Sequence, residues 1–99
     1  MTDIDLESLA EIQREIAGKV ILKDRFSALK LIGGVDQAFF ANNVISCIAV
    51  LDYDSMKVVD RAHAIEAIKF PYLPGYLYFR EAPVIFRAFS KLRQKPDIL

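Results

Sequence analysis

The chain has 99 residues, of which 54% are hydrophobic and 26% charged, with a formal net charge of zero. This length allows one small domain that buries roughly two-thirds or less of its unfolded surface, and the apolar content excludes a disordered chain. Neutrality excludes a globally basic nucleic-acid binder, so any such reading has to rest on local features.

The first predicted element is an amphipathic helix from about Asp5 to Leu22. Leu9, Ile12, Ile16 and Val20 recur at helical spacing and predict one buried stripe, with Asp3 or Asp5 as cap. Residues 28–40, rich in β-branched and aromatic side chains, predict a strand. Asn42-Asn43 predicts a turn, and residues 44–53 predict an apolar strand buried on both faces. Asp54-Ser55 is a second turn signal. Residues 57–69 fit helix and strand patterns alike, but two successive hairpin turns favour a third antiparallel strand. Phe70 to Gly75, FPYLPG, is a loop stiffened by two prolines. A helix is expected from Tyr78 to Arg93, with Pro83 in its first turns and Ile85, Phe89 and Leu92 facing the core. Lys95 to Leu99 reads as a turn opening another strand.

Cys47 is the only cysteine and sits in an apolar run. It predicts a buried thiol, no disulfide framework and a reducing, cytoplasmic setting. The acidic start MTDIDLESL is not a signal peptide. Val44 to Leu51 is too short to cross a bilayer, so no membrane partner is expected.

Asp36 falls in the middle of the first strand, on the same face as Ile32, Ala38 and Phe40 by alternation. A carboxylate there is unfavourable unless it is paired, capped by backbone or bound to a metal. Glu81 heads the helical row Glu81, Ile85, Phe89, Leu92 and is expected to point inward beside the sheet; an acid in a first turn also simply complements the helix dipole. Together the two acids would suit Mg²⁺, which binds through few carboxylates and keeps its waters. Gly33-Gly34 would let another chain segment or a ligand approach closely. Tyr72, between prolines, presents a ring that packs on its own turn or stacks on a base. Arg80, Arg87, Lys91, Arg93 and Lys95 make a basic helix face, solvated or turned to phosphates. His63 is expected to be a structural or surface residue.

Pro71-Tyr72-Leu73-Pro74-Gly75, then Phe79-Arg80-Glu81, then Lys95-Pro96-Asp97 resemble the endonuclease V family, as does Gly34-Val35-Asp36 followed by Phe39 or Phe40. The resemblance runs from about Leu22 onward. It implies a ribonuclease H-like α/β fold over a single truncated domain spanning 1–99. Its parts would be an N-terminal helix at 1–23, three antiparallel strands within 28–69, a tyrosine wedge loop at 70–77, a helix at 78–94 and the start of a fourth strand. It implies Mg²⁺-dependent cleavage, with Mn²⁺ as a substitute, on the 3′ side of deaminated bases, chiefly deoxyinosine. DNA is the implied partner, with RNA left open. Asp36 and Glu81 match catalytic, metal-binding acids. Tyr72 matches the wedge, Gly75 and Leu77 match positions shaping the base pocket, and Pro71, Leu73, Pro74 and Arg80 join them as DNA-binding positions. The family's next motif, an Asp-Gly pair on the fourth strand, has no counterpart here. The chain alone is therefore expected to be inactive, and to self-associate through an open sheet edge. The alternatives are a non-catalytic nucleic-acid-binding module and an unrelated interaction domain.

Overall fold

A computed structural model describes residues 4–99. The order is α1 (Leu6–Gly18), β1 (Leu31–Phe40), β2 (Asn43–Asp52), β3 (Val58–Ala67) and α2 (Leu77–Ser90). The strands form one antiparallel sheet in the order β1-β2-β3. The ambiguous segment at 57–69 is thus a strand, as the two hairpin turns predict. The first turn falls one residue early, at Ala41-Asn42, with Ala41 at φ 49°. In the second, the Ser55 N–H donates to the Asp52 carboxylate at 2.8 Å, a side-chain turn that holds the Asp52 carboxyl below its ordinary value.

The core lies on one face of the sheet. Val44, Ile48 and Val50 of β2 and Ala64 of β3 meet Val84 and Ala88 of α2 and Leu92 just beyond it, all buried. Ser46 is buried in the same row, and its hydroxyl has no partner among the described residues.

Four expectations are corrected. β2 is not buried on both faces: Cys47 is exposed, because among the described residues no element covers that side. α1 has no buried residue: Ile12 and Ile16 stand exposed, as does Val20 beyond its end, and Leu9 is only half-buried, so among the described residues its apolar stripe meets no covering surface. It stops at Gly18, short of Leu22. Asp5 caps it, accepting from the Glu7 and Ser8 N–H groups, while Asp3 lies outside the described residues. Finally, α2 is turned by one position. Its buried row is Val84, Ala88, Leu92, with Ile85 and Phe89 only half-buried. Pro83 is the seventh helical residue, within the first two turns as expected, and its missing N–H leaves the Phe79 carbonyl without the usual intrahelical donor.

The edge of β1 is not wholly open. The Gly33 N–H donates to the Ile98 carbonyl at 2.9 Å and the Asp97 N–H to the Leu31 carbonyl at 2.8 Å, a parallel bridge between Ile32 and Ile98. The Asp97 carboxylate also accepts from the Lys30 and Leu31 N–H groups at 2.8 and 3.0 Å. This is the expected start of a fourth strand. Gly33 permits it: a Cβ there would lie 2.8 Å from Leu99 Cδ1 and 3.0 Å from Pro96 Cγ. Gly34 has no such neighbour. From Val35 to Phe39 the edge has no bridged partner among the described residues.

Candidate functional site

The pairing register decides where Asp36 sits. Val35 and Gln37 lie opposite Ile48 and Ser46, the residues that face α2, so they share that face. Asp36 lies opposite Cys47 and therefore starts from the other face of the sheet. Glu81 comes from α2. In the sheet interior the two carboxylates would be separated by the backbone, contrary to the expectation that they share a side.

Both residues nevertheless border one cavity, which the edge position of β1 allows. Hydrogen-bonding direction alternates along a strand. Gly33 donates outward to Ile98, so the Gln37 N–H also points out of the open edge. The Asp36 Oδ1 accepts that N–H at 2.8 Å, which folds the carboxylate over the edge. Asp36 and Glu81 accordingly line one open cavity of about 290 Å³, together with Val35, Gln37, Phe39 and Ile85. Asp36 is exposed and Glu81 half-buried. Since α2 begins at Leu77, Glu81 is its fifth residue and the first turn holds no acid. A simple dipole role for Glu81 therefore loses its basis.

Gln37 was not singled out by the sequence. Its Nε2 donates to the Glu81 carbonyl at 2.9 Å in a half-buried contact, while its backbone N–H holds Asp36. One residue thus fixes the strand acid and the helix turn carrying the other. Alternation along β1, which turns Gln37 toward α2, was the signal that could have found it.

The loop from Phe70 to Tyr76 stands next to this cavity. Tyr72 is 65% exposed, so its ring is not part of the core. Pro71 and Leu73 are half-buried and Pro74 exposed. The Tyr76 N–H donates to the Leu73 carbonyl at 2.9 Å, closing a turn in which Gly75 adopts φ +89°, a conformation that excludes most side chains. Leu77, half-buried, opens α2. The Phe70 and Phe79 rings pack 5.8 Å apart under the loop. Arg80 lies over both the Phe39 and Tyr72 rings.

The rest of the basic helix face is largely engaged. Arg87 pairs with Glu66 at 3.0 Å, Lys91 donates to the His63 carbonyl, and Lys95 donates to the Phe89 and Leu92 carbonyls, closing the helix end. Asp60 accepts from the Arg93 and Gln94 N–H groups, and these bonds, Gln94's first, hold its carboxyl low. His63 is exposed beside Cys47 on the uncovered face, a surface residue. No group of three or more His, Cys, Asp or Glu converges among the described residues.

Asp36 and Glu81 still fit a small hard cation. Both offer oxygen ligands at an open cavity, and Mg²⁺ is commonly held by one or two carboxylates with water completing its shell. No helix among the described residues is long and apolar enough to cross a membrane.

The profile of the family described as Endonuclease V covers residues 14–99. The chain is 41% identical to an endonuclease V of Dictyoglomus turgidum, over 94% of this chain and 41% of that protein. It superposes on the crystal structure of endonuclease V from Streptomyces avermitilis with a TM-score of 0.86 and 33% identity, covering 97% of this chain and 44% of that one. A further similar structure is Ciona intestinalis endonuclease V in complex with a 24mer DNA containing an inosine followed by a ribo-adenosine. There the TM-score is 0.74 and the identity 27%, over 86% of this chain and 38% of that one. The chain thus spans less than half the length of the relatives it matches. Its helix, three antiparallel strands and helix are the opening of their ribonuclease H-like fold, and the chain belongs to the endonuclease V family.

Proposed function

We propose that this chain forms the N-terminal part of a nuclease that cleaves DNA on the 3′ side of deaminated bases, deoxyinosine first among them. The observation that carries the reading is the shared edge cavity of Asp36 and Glu81, with the exposed Tyr72 ring standing beside it. The inosine-containing DNA held by the Ciona relative supports the choice of substrate.

Asp36 and Glu81 would hold Mg²⁺, with Mn²⁺ as a substitute. When bound, the ion would lower the pKa of a coordinated water and offset charge on the scissile phosphate. The chain's own residues do the rest. Gln37 keeps both acids at the edge cavity. Tyr72 offers an aromatic face to a base leaving the stack, which lowers the cost of unstacking. Gly75 and Leu77 would border the space that base would enter. Two carboxylates hold an ion less firmly than a fuller set, so the 99-residue chain is expected to bind lesion DNA while nicking it little or not at all.

Fluorescence anisotropy on duplexes with and without one deoxyinosine, at several Mg²⁺ concentrations, tests this. The expected result is tighter binding to the inosine duplex, strengthened by Mg²⁺ and no longer so in Asp36→Asn or Glu81→Gln. Equal binding to both duplexes with no response to Mg²⁺ would reject the reading. Robust nicking by the chain alone would show that two acids suffice.

A further inference from the structure

Arg80 is enclosed rather than presented. Its guanidinium carbon lies 4.8 Å from the centre of the Phe39 ring and 5.9 Å from that of Tyr72, and its Nη1 donates to the Phe70 carbonyl at 3.3 Å. The residue is half-buried. We propose that Arg80 is a positioning residue that fixes the Tyr72 ring against β1, and that it does not serve chiefly as a phosphate contact.

The need follows from the loop itself. Pro71 and Pro74 set φ at two positions and a turn closes Leu73 to Tyr76, but these leave the Tyr72 side chain free to turn. A ring meant to meet a base works best when its freedom has been removed beforehand. The Phe39–Arg80–Tyr72 stack removes it. A guanidinium is planar and weakly hydrated, so it can lie against aromatic faces while its in-plane N–H groups bond elsewhere; a lysine ammonium cannot do both.

The stack also ties the loop to the acids. Phe39 is three residues beyond Asp36 on the same strand and lines the cavity of Asp36 and Glu81. Arg80 immediately precedes Glu81 on α2. The wedge ring and the two carboxylates therefore share one strand and one helical turn as their frame.

The functional consequence rests on the reading of Tyr72 as a DNA contact, so the test has one arm without DNA. In NMR spectra of the isotope-labelled chain, Arg80→Met should shift the Tyr72 ring resonances toward free-tyrosine values. It should also speed amide exchange over residues 70–76 by roughly tenfold, the scale of one cation–π contact or hydrogen bond. The sheet amides should stay in place, and Arg80→Lys should restore part of the order. If Arg80→Met does not fold, Phe39→Leu removes the other ring that the guanidinium lies over and should loosen Tyr72 in the same way. Unchanged Tyr72 resonances and loop exchange in whichever variants fold would overturn the proposal.

The second arm measures binding to inosine and plain duplexes against salt. Arg80→Met should reduce the preference for the inosine duplex by roughly tenfold, the scale of one base–aromatic stack, with the salt slope unchanged. A slope smaller by about 0.9, the signature of one lost phosphate contact, with Tyr72 still ordered, would overturn it in favour of direct contact. A wild-type chain with no inosine preference would reject the functional reading alone, and the Tyr72 spectra would then decide the role of Arg80.

Discussion

The two faces of the sheet have similar side chains and opposite fates. On β2, Val44, Ile48 and Val50 are sealed against α2, while Ile45 and Ala49, one residue away on the other face, are only half-buried and Cys47 is exposed. On β3, Ala64 is buried and its neighbour Ile65 is 50% exposed. An apolar strand can serve one face or two, and only the elements laid against it decide which. The candidate site occupies the boundary between these regions, at the stretch of β1 edge where a carboxylate rooted on the uncovered face can bend toward the helix on the covered one.

Substitutions can break or sharpen this contrast. Ile48→Ala, in the sealed row, should destabilise the chain by about 2–5 kcal/mol in urea melts, through lost burial and a cavity. If its loss were below about 1 kcal/mol, the covered face would not be the core. Gly33→Ala should lose about 1–3 kcal/mol by overpacking, because the Pro96 ring and Leu99 side chain already fill the space. Faster amide exchange at Asp97 and Gly33 would locate the damage at the start of the fourth strand. Ser46→Ala should gain about 1 kcal/mol, since it deletes a buried hydroxyl with no partner among the described residues. A loss there would mean that the hydroxyl is bonded in solution. Ile65→Ala, on the uncovered face, should change stability by less than about 0.5 kcal/mol, and a larger loss would mean that something covers that face.

The smallest effect at neutral pH belongs to the acid response. The Leu31 and Lys30 N–H groups hold the Asp97 carboxyl below its ordinary value of 3.8. A depressed folded-state pKa contributes stability above the unfolded value and loses it as pH falls through the folded one. Melting temperature should therefore stay level down to about pH 4 and fall below it. Asp97→Asn should flatten that fall, and an unaltered acid limb would show that this contact does not anchor the edge.

Much of the site could be read along the chain because its parts are local. The loop Pro71 to Gly75 announces itself by prolines and a glycine that takes a positive φ. The strand and helix around Asp36 and Glu81 follow from β-branched runs and apolar spacing, and the cap at Asp5 from residue type. The relation of the two acids could not be read in this way. Alternation places Asp36 on the face away from α2, and nothing in the local pattern says that an edge N–H at Gln37 will draw its carboxylate round.

The sequence by itself determined the order and type of the elements and the family, since these rest on backbone preference, short-range side-chain capping and motif spacing. Tertiary structure decided which face of β2 is core, that α1 keeps its stripe exposed, that α2 seats on Val84 and Ala88, and that Arg80 lies over both Phe39 and Tyr72. The physical reason is the same throughout. Burial and ring stacking are properties of surfaces brought together from distant segments, and a residue carries no local mark of the partner that will cover it.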